Sequence, residues 1–530
     1  MLKRGNLSNQ AMLYLHTKML QSGFQQLKLL CLQPLTVLPL IIFIYLLYKW
    51  VFRTGSRAKK NLPPSPPKLP ILGNIHLLGT YPHRSLKSLS DRYGELMVVH
   101  LGKTPALVVS SEKAATEIMK THDAKFSSRA SNKTARKLLY NCRNVAAAPY
   151  GEYWRQMKSI CVLQLLNSKR VLSFRSVREE ETALLMEQIE KASSSTVNFS
   201  DLVMTLTSNV ICRVAFGRKY SATEGGVDFK KVLKEFEELL GRFRVGDCIP
   251  FLGWTNKLDG WDAKLDKVAK EYDLFLEYVL KEHQDHRNRQ NHSKIKDLVD
   301  VLLDVQEDET AGFPLERDSI KAIILNVFSA GTDTTYTVLE WAMTELLRHH
   351  TVMEELTNEV RGITGKRSDV HEDDLEQMKY LKAVIKETLW LHPPIPLLVP
   401  RLSTEDAKIN GYDIPSGTLV ITNAWAIQRN PASWDDPEEF NPGKFLNSST
   451  DYKGQDFRFI PFGAGRRICP GITFAAANIE LVLANLVCKF DWTLPGGAKA
   501  ESLDMTECVG LTAHRKTPLL AVATPVNVDQ

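Results

Sequence analysis

Apolar residues recur at three- and four-residue spacing through 113–122, 151–166, 178–191, 200–215, 228–244 and 263–288. That is the period of helices with one buried face. A longer stretch, from about Asp318 to His350, keeps the period without a proline. At helical rise it predicts a rod roughly 50 Å long, enough to cross a large domain. Strand-like alternation is rarer. "ELMVVHLGKTPALVVSS" (95–111) alternates about a Gly-Lys-Thr-Pro turn and predicts a hairpin, and "KINGYDIPSGTLVITN" (408–423) predicts a second. The polar run 281–297, with His283, His286 and His292, reads as a solvated helix end and loop rather than a zinc site. No repeat or linker divides the body, so the pattern predicts one large, mainly α domain with small β-sheets over 75–524.

The N-terminal region is patterned differently. Leu29 to Tyr48 holds no charged residue, and no acid precedes Asp91. An uncharged run of this length predicts a transmembrane helix over 29–48. Lys49, Arg53, Arg57, Lys59 and Lys60 follow it, against Lys3, Arg4, Lys18 and Lys28 before it. The bias places the bulk of the chain in the cytosol. Residues 1–28 read as an extension, 49–74 as a basic and proline-rich hinge, and 525–530 as a tail. Within the hinge, Pro63, Pro64, Pro66, Pro67 and Pro70 predict an extended, stiff spacer.

Net charge is +6, too mild for nucleic acid, and no basic stripe carries interleaved aromatics. It suits an acidic protein partner or an anionic membrane face. The eight cysteines include no C-x-x-C pair. They describe a reduced, cytosol-facing protein rather than a disulfide scaffold.

One cysteine stands apart. Cys469 sits in "PFGAGRRICPG" (461–471), among glycines and behind paired arginines. It lacks the companions of a zinc site, and no nucleophile signature of a hydrolase fits. A thiolate bound to haem iron fits better. Glycines let backbone approach the metal and donate to sulfur, an arginine can pair with a carboxylate of the macrocycle, and the apolar run after Gly471 starts a helix whose N-terminus favours the anion.

Phe462-x-x-Gly465-x-Arg467-x-Cys469-x-Gly471 resembles the haem-binding signature of the cytochromes P-450, and the likeness runs from the proline hinge to about Thr524. It is closest to the plant microsomal A-type enzymes of the seventy-one clan. The resemblance implies heme b with Cys469 as axial ligand and Phe462 beside it. It implies Arg467, Trp154, Lys158 (where the family usually has Arg) and Arg401 at the propionates. Ala330-Gly331-Thr332-Asp333-Thr334-Thr335 matches the oxygen-activation motif, with Gly331 opening room for dioxygen and Asp333 and Thr334 relaying protons. It further implies electrons from NADPH-cytochrome P-450 reductase, a single-pass anchor in the endoplasmic-reticulum membrane, and a lipophilic small-molecule substrate, a plant specialised metabolite of terpenoid, indolic or phenolic type. Substrate would meet 127–149, Asn326 to Ala330, Ile395 to Val399, and Val509 to Thr512.

One departure bears on all of this. The family's Glu-x-x-Arg reads Glu387-x-x-Trp390 here, and a second customary arginine is replaced in Phe440-Asn-Pro442-Gly443-Lys444-Phe445. A buried carboxylate that loses its partner costs about 3–5 kcal/mol unless it takes up a proton. Lys444 can substitute only as a point charge. The departure motivates one alternative to a monooxygenase, a degenerate, non-catalytic member; the resemblance itself leaves another, a haem-dependent dehydratase or isomerase, as some relatives are.

Overall fold

The chain divides between Lys60 and Asn61 into two units. The computed structural model describes residue 18 and residues 34–51, 61–220, 229–242, 244–249, 253–288, 296–308 and 314–526. In the first unit helix α1 spans Pro34–Val51 and carries Pro39 inside it. Its apolar side chains from Leu38 to Tyr45 are exposed. It starts later than the predicted 29–48, and residues 29–33 lie outside the described ones.

In the second unit the periodic segments become helices. They are α3 (Glu152–Ser159), α4 (Arg175–Lys191), α5 (Phe199–Phe216), α6 (Phe229–Gly241) and α7 (Trp261–Asn288). Segment 113–122 splits into an α piece at Glu112–Thr116 and a π turn at Glu117–Thr121, and α2 (Pro82–Tyr93) forms where the pattern announced none. After α8 (Leu298–Glu307) comes the long α9 (Arg317–Arg348), 32 residues, then α10 (His350–Thr364), α11 (Lys379–Leu391) and α12 (Ile472–Lys489). The segment predicted as one helix over 151–166 changes pitch: α3 gives way to a π turn at Ile160–Leu165. Helix α9 is the axle of the core. It packs against α5, α11 and α12, and Phe328, Leu339, Trp341 and Leu346 on it are buried. Helices α5 and α12 match a bilayer in length and hydropathy, but are 67% and 61% buried. They are core helices.

Sheet formation follows one prediction and corrects the other. β1 (Leu96–Leu101) and β2 (Thr104–Val109) form the expected hairpin. The second hairpin closes early. Ala407–Ile409 pairs with Tyr412–Ile414 across Asn410-Gly411, both at positive φ, the geometry a two-residue turn requires. Pro415, which has no N–H to donate, ends that ladder. β3 (Arg401–Leu402) and β4 (Leu419–Thr422) join the first sheet instead, in the order β1-β2-β4-β3, with β4 parallel to β2.

Two segments read as solvated or free are tied to the body. From Asn61 the proline run is extended, with Pro63 and Pro66 buried, and Val98 N–H donates to Pro64 O at 2.8 Å. His283 is buried, its Nε2 2.9 Å from Asp297 Oδ2. Asp297 also caps α8 through a reciprocal box with Asp300. Opposite it Gly217 ends α5 in the left-handed region, φ +72°, where an added Cβ would lie 2.8 Å from Asp297 Oδ2. Gly217→Ala is expected to cost at least about 1–2 kcal/mol, read as a lower midpoint in urea with an unchanged slope.

Candidate haem site

The loop ahead of α12 is shaped by two glycines at positive φ, Gly463 (+72°) and Gly465 (+67°). At Gly465 a Cβ would come within 2.2 Å of Met119 O and 2.9 Å of Asp123. No other residue fits there. The turn is pinned by Cys469 N–H donating to Phe462 O at 3.1 Å. Gly471 N–H then points at Cys469 Sγ, 3.4 Å away, one residue before α12 begins. Burial pushes the Cys469 thiol up, while this N–H and the Lys158 cation favour the thiolate.

Around the loop lies a concentration of enclosed positive charge. Arg467 gives its donors to Ser127 O (2.6 Å), Val145 O (3.1 Å) and Ala148 O (2.6 Å). Its guanidinium lies 4.1 Å from the centre of the Trp154 ring. Arg401 reaches Asp123 Oδ1 and Ala464 O, each at 2.7 Å. Lys158 donates to Arg466 O and sits 5.4 Å over Trp154. Trp154 Nε1 is spent on Val145 O at 3.0 Å. A further cation, Arg129, holds Ala146 O at 3.0 Å and Pro400 O at 2.8 Å. The sequence offers no periodic or motif signal for Arg129, or for the Asp123 that anchors the group.

These charges strain one another. Burial and then Arg401 pull Arg467 down to about 9. Burial, Arg467 and Arg401 together pull Arg129 well down, and burial and then Arg467 lower Lys158. Asp123 is the one carboxylate that ion-pairs with this group among the described residues, holding Arg401 and Arg466. Lysine and arginine carbonyl contacts satisfy hydrogen bonds but not charge. A cofactor presenting carboxylates beside a cysteine-ligated iron is the group this donor set fits.

Between the ends of α9 the accessible positions are Asn326, Val327, Ala330, Gly331 and Thr334, one face of an otherwise buried stretch. Gly331 does not loosen the helix, which stays α-helical throughout. Its missing Cβ makes room for Ile211, whose Cδ1 a side chain would meet at 2.6 Å. Thr334 Oγ1 donates to Ala330 O at 2.6 Å. Asp333, one residue earlier, points into the buried side and accepts from Thr512 Oγ1 at 2.8 Å. Burial raises its carboxyl, against the Thr512 bond and His514. Phe462 is half-buried against Tyr452, ring centres 5.3 Å apart.

Trp390 and Lys444 form a replacement for the missing arginines. Glu387 and Trp390 are fully buried on α11. Lys444 Nζ lies 3.0 Å from Glu387 Oε1, 2.8 Å from Glu439 O and 4.0 Å from the centre of the Trp390 ring. Asn441 N–H donates to the same Glu387 oxygen at 2.9 Å. The lysine is thus held by a carboxylate, carbonyls and an aromatic face at once. Glu387 Oε2 finds no hydrogen-bond partner among the described residues, and burial, outweighing Lys444, raises its carboxyl to about 7.

A family model for cytochrome P450 matches residues 63–521. The chain is 57% identical over 499 residues to cytochrome P450 736A117 of Prunus mume, covering 93% of this chain and 96% of that one. It is 52% identical over 494 residues to cytochrome P450 71A25 of Arabidopsis thaliana (92% and 99% covered). It is 50% identical over 495 residues to a norfluorocurarine oxidase of Strychnos (92% and 96%). Among solved structures, a zebra fish cytochrome P450 with progesterone aligns at a TM-score of 0.72 and 25% identity, over 84% of this chain and 99% of that one. The chain belongs to the cytochrome P450 family. It is a haem-thiolate monooxygenase of the plant seventy-one clan, a family whose iron is held by a cysteine thiolate.

Lys444→Met is expected to strand Glu387 and cost about 3–5 kcal/mol, with Lys444→Arg close to the parent in urea unfolding. The folded protein keeps the Glu387 proton to about 7, whereas the unfolded chain releases it near the ordinary 4.5. This group's contribution to stability is therefore full at acidic pH and lost as pH rises from 4.5 through 7. Glu387→Gln should flatten the thermal-stability profile across that window.

Proposed function

We propose that this enzyme oxidises a small lipophilic plant specialised metabolite at the endoplasmic-reticulum membrane, with electrons passed from NADPH by cytochrome P-450 reductase. The observation that carries the haem-side reading is the enclosed cation group beside Cys469, for which Asp123, paired with Arg401 and Arg466, is the one ion-pairing carboxylate among the described residues. Arg467, Lys158 and Arg129 would hold the haem propionates, with Arg401 positioned behind them by Asp123. Phe462, Gly465 and Gly471 shape the loop around the sulfur. The bound haem supplies dioxygen binding and activation. Ala330 and Gly331 leave the helix surface low, and Thr334 and Asp333 hold and move the protons the reaction consumes.

Substrate class is read from the lining. Leu397, Leu398, Val399 and Leu511 are apolar and incompletely buried, a surface that favours a lipophilic ligand and excludes water. The Strychnos relative, an oxidase of norfluorocurarine, supports specialised metabolism as the setting. Helix α1, with its exposed apolar side chains, supports a single membrane anchor with the catalytic unit in the cytosol.

The test is the carbon monoxide difference spectrum of the reduced protein in microsomes, with products assayed with and without reductase. The parent should give the red-shifted thiolate band and a reductase-dependent oxygenated product. Cys469→Ala should lose the band. Thr334→Ala should keep it while product formation falls by about 10²-fold or more. Product that forms without reductase would mean dehydration or isomerisation instead.

A further inference from the structure

Asp333 turns to the buried side of α9, and the segment that meets it there comes from near the end of the chain. Strands β5 (Glu507–Val509) and β6 (Ala513–Arg515) pair antiparallel, and Thr512 closes the turn between them. Thr512 is buried, and its hydroxyl is the one donor to the Asp333 carboxylate among the described residues, 2.8 Å from Oδ2. The place of that hydroxyl is set along about three turns of α9, from Asp333 to Thr344. Trp341 Nε1 donates to Ala513 O at 2.9 Å, Arg515 N–H to Glu340 Oε2 at 3.1 Å, and Arg515 Nη1 to Thr344 Oγ1 at 3.2 Å. Ala513 N–H donates to Pro394 O at 2.8 Å. A hydroxyl fixed in this way loses little freedom by making one more bond.

Thr512 has a second side, since a hydroxyl can accept while it donates. Thr337 Oγ1 donates to it at 3.2 Å and to Asp333 O at 2.8 Å. His514 Nδ1 lies 3.5 Å from the same hydroxyl. Asp333, Thr337 and Thr512 are buried, whereas His514 is half-buried. His514 is therefore the member of this hydrogen-bonded chain that reaches water. The other titratable groups nearby are otherwise engaged. Tyr336 donates to Glu340 at 2.8 Å, Glu340 also takes Ser200 and the Arg515 N–H, and Glu237 of α6 meets Asp333 through charge. Burial raises the Asp333 carboxyl, while the Thr512 bond and then the His514 charge lower it.

We propose that Thr512 is the positioning residue of Asp333 and links it to His514, so that the proton Asp333 gives up is replaced from water through these two side chains. In that step the Nδ1–H bond of His514 breaks as an O–H bond forms on Thr512, and the original Thr512 proton passes to the Asp333 carboxylate. A proton from water enters the imidazole at its other nitrogen, and no electron is transferred. The relay rests on the proton role given to Asp333 above; the tie from Thr512 to Asp333 does not.

The experiment uses the full-length haem-loaded protein beside Thr512→Val, Thr512→Ser, His514→Phe and Asp333→Asn. Infrared titration follows the protonated-carboxyl stretch that Asp333→Asn removes. Losing the Thr512 bond takes away a donor that favours the charged form. In Thr512→Val that band should therefore titrate at higher pH, and in Thr512→Ser near the parent. Oxygen uptake with NADPH and reductase, with no organic substrate added, is then compared in light and heavy water. Thr512→Val and His514→Phe should lower uptake by about tenfold or more and deepen the slowing in heavy water, with the carbon monoxide band unchanged. A residue of purely structural weight would move neither the midpoint nor the isotope effect. Thr512→Ala takes the place of Thr512→Val should the latter fail to fold. The proposal is overturned if the midpoint stays where it was without the hydroxyl, or if His514→Phe keeps the parental uptake while Asp333→Asn loses it. Parental uptake in Asp333→Asn would instead sink the proton role of Asp333 and the relay with it, and the infrared shift would then decide the tie alone.

Discussion

Burying several positive charges against a single carboxylate is the constraint on which the site depends. Arg129, Lys158 and Arg401 approach the Cys469 loop, which itself carries Arg467, and among the described residues Asp123 pairs with Arg401 alone of the four. Such an arrangement is unfavourable in a protein interior unless anionic groups complete it. On the proposed reading these residues would hold the haem carboxylates, and the same loop would present the sulfur to iron. Cofactor affinity and fold stability would then be linked, since whatever binds the folded protein alone stabilises it.

The second constraint sits on the far side of α11. A buried glutamate there needs a counter-charge, and this chain meets the need differently from the pattern of its family. Trp390 fills the volume with an aromatic face, and Lys444 is clamped over that face against Glu387. The lysine lacks the fork of an arginine, which is why one glutamate oxygen stays unpaired. Its carboxyl rises toward neutrality instead of being held down. The departure alters the pH response of the tie rather than abolishing it.

The same logic, burial against charge, explains the distal side. Asp333 and Thr334 are neighbours in sequence but stand on different faces of α9, one buried beside Thr512 and the other accessible. Gly331 serves packing as much as access, since Ile211 occupies the space a side chain would need.

Much of this was legible in the chain itself. Periodicity gave α4, α5, α6, α7 and the long α9 to within a few residues, because a buried stripe must repeat with the helical turn. The Phe-x-x-Gly-x-Arg-x-Cys-x-Gly loop announced its chemistry because positive φ, close backbone approach and a thiolate each demand a particular residue type. Those are local requirements, and local sequence states them. Only tertiary structure decided that Leu419–Thr422 leaves its hairpin for the first sheet, that His283 is buried against Asp297, and that Lys444 answers Glu387 across a gap of 57 residues. Arg129 and Asp123 carry no motif, because what defines them is distant charge, and the distance is set only when the chain packs.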